Sequence, residues 1–214
     1  MIDEAKKTGA QCIVTHHPLF FDAPNAINDD SYAGRCLLEL AEAKIAAINL
    51  HTNLDVCPGG VNDTLAETLG LTDVSVLNPV GTDAQGRPYG LIRTGMVREQ
   101  RLAEFAAFVK SALSCPGLRF ANAGKPVRRV AVGGGSCGGA IDDVLAAGCD
   151  TLVTADLKYN HFEEAKYRGL NLIDAGHFET ESPVCAVLER VVREALPELT
   201  VLRAKAHKDE TQFL

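Results

Sequence analysis

Short apolar runs alternate with longer amphipathic stretches along most of the chain. Leu37, Leu38, Leu40 and Ala41 recur at helical spacing, predicting a helix capped by Ser31 and running to about Lys44. Compact runs at Cys12–Thr15, 46–50, Thr151–Thr154 and Asn171–Asp174 predict strands. Further strands are expected at 90–97, 118–122, Val127–Val132 and 200–203. Helices are expected at 3–8, stopped by Gly9, through 65–69, stopped by Gly70, and at 99–113, 140–147, 161–167 and 183–195. Residues 78–89, rich in Gly, Pro, Asp and Asn, predict a loop. Strands alternating with helices give an α/β fold with largely parallel pairing. The opening helix has no strand before it, although a helix of an α/β unit normally returns from one. The pattern therefore predicts that an amino-terminal βα portion is lacking.

Composition narrows the classes. Of 214 residues, 46% are apolar and 23% charged, the balance of a globular protein. The net charge of −7 argues against nucleic acid as a partner, because the densest basic cluster, Lys125 to Arg129, holds only three charges. No apolar stretch approaches bilayer length, so no membrane partner is expected. The seven cysteines contain no C-x-x-C pair and are odd in number, which fits reduced thiols in a cytoplasmic protein.

The chemistry gathers at predicted strand ends. His16 and His17 follow the first strand, His51 the second, and His177 the strand ending at Asp174. Ligands of parallel α/β sheets bind at this carboxyl edge. Asp55 closes HTNLD, and Glu181 lies four residues beyond His177. Imidazoles with carboxylates are the donor set of a Zn, Mn or Fe site. Each piece alone has a plainer reading. A His-His pair is commonly a surface or core pair, Asp55 and Asp63 can accept turn or helix-start amides, and His177 and Glu181 can share an exposed helix face.

The blocks THHPLFF, HTNLD-x-x-PGGVND-x-LA, GGGS, T-x-DLKY and LIDAGHFETE occur in the order seen in the Nif-three-like family, whose members are often labelled GTP cyclohydrolase I type 2 homologues. The sequence resembles that family from residue 1 to the last predicted strand. The resemblance implies a two-metal site whose five ligands fall on His16, His17, Asp55, His177 and Glu181. It also implies two interlocked α/β lobes with mixed sheets, one of about 1–77 plus about 150–214 and a middle lobe of about 78–149. A ring-shaped homo-oligomer, commonly a hexamer, is a further implication. Two departures stand out: the family's amino-terminal segment is lacking, and Ala155 replaces its usual glycine.

Two divalent ions would make hydroxide available near neutral pH. Carboxylates can bridge ions and imidazoles cannot, so Asp55 and Glu181 are expected to serve both. His16 and His17 are expected to diverge and serve one ion each. His51 is a candidate proton shuttle or hydrogen-bond partner.

Gly133, Gly135 and Gly138 match G-x-G-x-x-G, with Asp156 downstream, but too few strands remain for a dinucleotide fold. A phosphate held by backbone amides of this turn is the milder expectation, and a tight turn the plain one. Thr154, Asp156, Lys158 and Tyr159 are expected to line the same crevice. The leading expectation is a metal-dependent hydrolase of a small nucleotide-like or phosphorylated substrate. The alternative is a non-enzymatic metal-binding ring acting as a regulatory or partner-binding module.

Overall fold

A computed structural model describes residues 1–214. The chain divides into two compact units, Met1–Leu54 with Leu202–Lys208, and Asp55–Val201 with Asp209–Leu214. Residues 92–100 and 127–132 lie in one sheet with residues 151–154 and 171–174.

The first unit contains α1 (Ile2–Thr8), β1 (Cys12–Thr15), α2 (Tyr32–Glu42) and β2 (Ala46–Asn49). Gly9 ends α1 in the left-handed conformation, at φ 69. Ser31 caps α2 as expected, its hydroxyl accepting from the Gly34 amide at 3.0 Å. β1 and β2 pair in parallel, and Ala5, Leu40 and Ile45 form a small core. Val14 and Ile48 on these strands are exposed. The returning segment is tied down by Glu4, whose carboxylate accepts from the amides of Lys205 and Ala206, each at 2.9 Å. The strand expected at 200–203 does not form; Leu202 is exposed and no strand pairs there.

The short helix α3 (Thr52–Val56) carries the chain into the second unit. There follow α4 (Val61–Thr68), β3 (Thr72–Leu77), β4 (Gly81–Thr82), β5 (Pro88–Tyr89), β6 (Ile92–Gln100), α5 (Leu102–Ala112), β7 (Arg119–Ala121) and β8 (Val127–Val132). The unit continues with α6 (Ile141–Ala146), β9 (Thr151–Thr154), α7 (Tyr159–Arg168), β10 (Asn171–Asp174), α8 (His177–Glu181) and α9 (Val184–Ala195). Six strands form one sheet in the order β3-β6-β8-β9-β10-β7. β8, β9 and β10 run parallel, as the alternation predicts, and antiparallel strands flank them on both sides. The fold is α/β with a mixed sheet.

Strand alternation sorts side chains into two cores. Val130, Val132, Val153 and Ile173 join Leu65, Leu69, Phe105 and Val109 on one face. Ala131, Leu152 and Leu172 join Ile141, Val144 and Ala165 on the other. With both faces covered, β9 and β10 are buried throughout, and the carboxyl ends of β8, β9 and β10 open at one edge. Within the expected loop 78–89, β4 and β5 form a small hairpin, with Asp83 accepting from the amides of Gln85 and Arg87.

Candidate metal centre

In the second unit the donors arise at the ends of β9 and β10. Gly176, at φ 89, turns the chain from β10 directly into α8. Four-residue spacing places His177 and Glu181 on one face of this short helix, with His177 Nε2 3.0 Å from Glu181 Oε1. The other ring nitrogen, Nδ1, lies 2.7 Å from Asp156 Oδ2, just past β9. A carboxylate accepts, so in the neutral ring Asp156 keeps the proton on Nδ1 and leaves Nε2 as the basic nitrogen facing Glu181. With an acid at each nitrogen, the His177 pKa is pushed up to about 9: Glu181 is the main cause, Asp156 adds to it, and burial opposes both. A divalent cation would take the place of that proton.

The glycine turn after β8 forms the floor. Gly135 adopts φ 64, and a Cβ there would strike the Glu181 carboxylate and sit 3.2 Å from the His177 ring. Its amide donates to Thr180 Oγ1 at 3.0 Å, that of Gly134 to Asn62 Oδ1 at 2.7 Å, and that of Cys137 to Thr154 Oγ1 at 3.0 Å. Gly133 donates to Val153 O. These four amides are committed to holding the turn in place and so are not available to a phosphate. Thr154, expected in the crevice, is wholly buried and also donates to Gly135 O. Asp156 proves to be the His177 partner, and Tyr159 is exposed. Cys137 in the turn is a buried thiol whose pKa is pushed up to about 11 by desolvation, so it stays protonated and is a poor ligand.

Asp55 is buried near the end of α3. In the turn that follows, Asp63 Oδ2 accepts from the Gly59 amide at 2.6 Å. Asn62, fully buried, donates to the Asp55 carbonyl at 3.0 Å.

In the first unit, His16, His17 and His51 come together at the ends of β1 and β2. Their ring centroids are 5.1 to 5.7 Å apart, and one nitrogen from each lies within 4.8 Å of the others, a spread that a metal ion could draw in. His16 and His17 were expected to diverge. They instead sit in a bend beyond β1, outside the strand pleat that would send neighbours to opposite faces. The Thr15 hydroxyl donates to the His17 carbonyl at 2.9 Å and so holds the bend. His16 Nδ1 is 2.7 Å from Leu50 O; a carbonyl only accepts, so in the neutral ring Nδ1 carries the proton and Nε2 the lone pair. His51, expected as a shuttle, belongs to a group that could hold an ion.

Residues 1–210 match the family described as Duf34/NIF3 (NGG1p interacting factor 3). A GTP cyclohydrolase 1 type 2 homolog of Clostridium perfringens is 32% identical over 216 residues, covering all of this chain and 82% of the relative. One from Streptomyces coelicolor is 38% identical over 189 residues, covering 86% of this chain; the chain spans 66% of that relative's length. The crystal structure of a Bacillus cereus protein related to NIF3 superposes with a TM-score of 0.90 at 25% identity, covering all of this chain and 86% of that one. A Staphylococcus aureus hypothetical protein gives 0.89 at 27% identity, with coverage of 100% and 83%. By a match running along nearly its whole length, the chain belongs to the Duf34/NIF3 family.

Proposed function

We propose that His16, His17, Asp55, His177 and Glu181 hold two divalent ions, of Zn, Mn or Fe, and that the protein is a metal-dependent hydrolase of a small nucleotide-like or phosphorylated substrate. The observation that carries this reading is His177, oriented at Nδ1 by Asp156 and presenting Nε2 beside Glu181. That arrangement is the carboxylate–histidine pair of metalloprotein sites. The donor chemistry fits, since neutral imidazoles and carboxylates suit borderline divalent ions and no thiolate competes. When bound, such ions supply Lewis acidity and a nucleophile near neutral pH.

The chain's own groups do the rest. Asp156 and the Leu50 carbonyl set the tautomers of His177 and His16. The Gly135 backbone lets the turn lie against Glu181 without a side chain between them. His51, beside His16 and His17, is placed either to add a ligand or to move a proton.

Substrate recognition follows the relatives' name only as far as a nucleotide. Self-association into a homo-oligomer, a hexameric ring by resemblance, is favoured by the exposed Val14 and Ile48 of β1 and β2. No helix is long and apolar enough to cross a membrane, and buried thiols such as Cys115, Cys137 and Cys149 favour a cytoplasmic setting.

The test is to load the protein with zinc, manganese or iron, then incubate it with GTP and a panel of nucleotides and phosphoesters. Metal-dependent product, abolished by Glu181→Ala, supports the hydrolase. Metal held without turnover of any compound would instead make it a binding or regulatory module.

A further inference from the structure

We propose that Arg93 is a positioning residue for Asp55: from inside the core it clamps the backbone that leaves this carboxylate and so fixes where a metal ligand stands. The inference rests on the reading of Asp55 as a ligand.

Arg93 lies on β6 and is 1% exposed, the largest fully buried side chain of the protein. Its guanidinium has no contact with His177 or Glu181 among its hydrogen bonds. Nη1 donates to Gly90 O at 2.6 Å, and Nη2 reaches Val56 O at 3.3 Å and Cys57 O at 3.4 Å. Nε pairs with Asp63 Oδ1, and Nη2 lies 3.3 Å from Asp63 Oδ2. That same Asp63 oxygen accepts from the Gly59 amide. One buried cation therefore holds residues 56 and 57 directly and residue 59 through its partner. Asn62 completes the set by binding the carbonyl of Asp55 itself and, with its other end, the amide of Gly134 in the turn beneath Glu181.

Residues 57 to 60 read CPGG, a stretch with no ladder and with Gly59 at φ 78. Proline followed by glycine sets a local turn, closed by the Gly60 amide donating to Cys57 O at 3.0 Å, but it does not fix how that turn is anchored to the sheet. Burying an ion pair is a poor way to stabilise a fold, since apolar replacements of similar volume are often as stable or better. A planar fork with five donors is, however, well suited to gripping a carboxylate and three carbonyls at once, which a lysine cannot do. The arrangement is that of a clamp on the segment, with its charge neutralised by Asp63.

The experiment uses the full 214-residue chain with cobalt(II) as the probe. Arg93→Lys keeps the charge but loses the fork. Arg93→Met/Asp63→Asn removes both charges together while keeping an acceptor for the Gly59 amide, so that no buried charge is left unpaired. For each, the melting midpoint is measured after chelator treatment, and cobalt affinity and the visible cobalt spectrum are measured after loading. The expected result is a cobalt affinity at least about tenfold weaker, with a changed spectrum, in a chain whose metal-free melting midpoint is close to wild type for the double variant. Native affinity and spectrum in both variants would overturn the positioning role while leaving the metal reading intact. Loss of the fold and of cobalt together in both variants would also overturn it, making Arg93 a support of the core. Wild-type protein that binds no cobalt, zinc, manganese or iron would instead overturn the metal reading on which the clamp rests.

Discussion

Asp156 grips the Nδ1 edge of His177 at 2.7 Å from the end of the neighbouring parallel strand, 21 residues earlier in the chain. The pairing β9–β10 makes this possible, because Thr154 stands opposite Asp174 in register, and the two strand ends release their loops side by side. Asp156→Ala removes the group that selects the tautomer and restrains the ring. Zinc affinity, measured by competition with a chelator, should fall about 10- to 100-fold with little change in melting temperature. Unchanged affinity would mean that the ring is held well enough by α8 alone.

The metal-free protein should show an elevated His177 titration. Its folded pKa of about 9 lies above the ordinary value of 6.5, so protons bind more tightly to the native state. The contribution to stability is present in full below about pH 6.5 and is lost as the pH rises through about 9. Proton NMR of the imidazole in the presence of a chelator measures this, and a midpoint below 7 would show that Glu181 and Asp156 do not act on the ring as the geometry implies. Zinc should abolish the titration, since the ring nitrogen then carries metal in place of a proton.

Gly135→Ala separates two costs. The backbone at φ 64 disfavours any side chain, by about 1–3 kcal/mol, and the new methyl also meets the Glu181 carboxylate. Gly124→Ala has a similar φ of 79 with open space around it, so it carries the backbone cost alone. Both variants should lower the melting midpoint, while only Gly135→Ala should reduce the metal bound per chain. Equal metal content in the two would remove the turn from the site.

Loss of a carboxylate should differ from loss of an imidazole. If Asp55 and Glu181 each serve two cations, Asp55→Ala or Glu181→Ala should empty both positions, because two ions deprived of a shared charge repel each other. His16→Ala should remove mainly one. Elemental analysis after identical loading and desalting decides this, and an Asp55→Ala protein that keeps nearly all its metal would exclude a shared ligand.

The candidate donors were legible in sequence wherever one local rule placed them. His51 and His177 follow apolar runs that are indeed β2 and β10, and Glu181 sits one helical turn beyond His177. The partners were not legible, because they depend on which strands lie side by side. Asp156 stood among four polar residues expected to line a crevice, and nothing local in IRTGM marks Arg93 as buried. Its burial follows from a carboxylate and carbonyls brought there by α4 and the preceding turn. β3 escaped notice because four of its six residues are exposed and Asp73 breaks its extended path with φ 50, whereas 200–203, rich in strand formers, finds no partner strand. The glycine turn carried a nucleotide-like pattern whose amides are taken up by Asn62, Thr180 and Thr154, residues the pattern does not contain.

The Glu4 carboxylate, in the first helix, receives the amides of Lys205 and Ala206. During synthesis the amino-terminal unit therefore waits for its last piece until some two hundred further residues have left the ribosome. The second unit, drawn mostly from the intervening stretch, has its whole sheet in hand well before then. Vectorial synthesis thus reverses the order suggested by the numbering. The sheet begun later is whole first, and until residues 205 and 206 emerge the unit of His16, His17 and His51 lacks the segment that ties down its first helix.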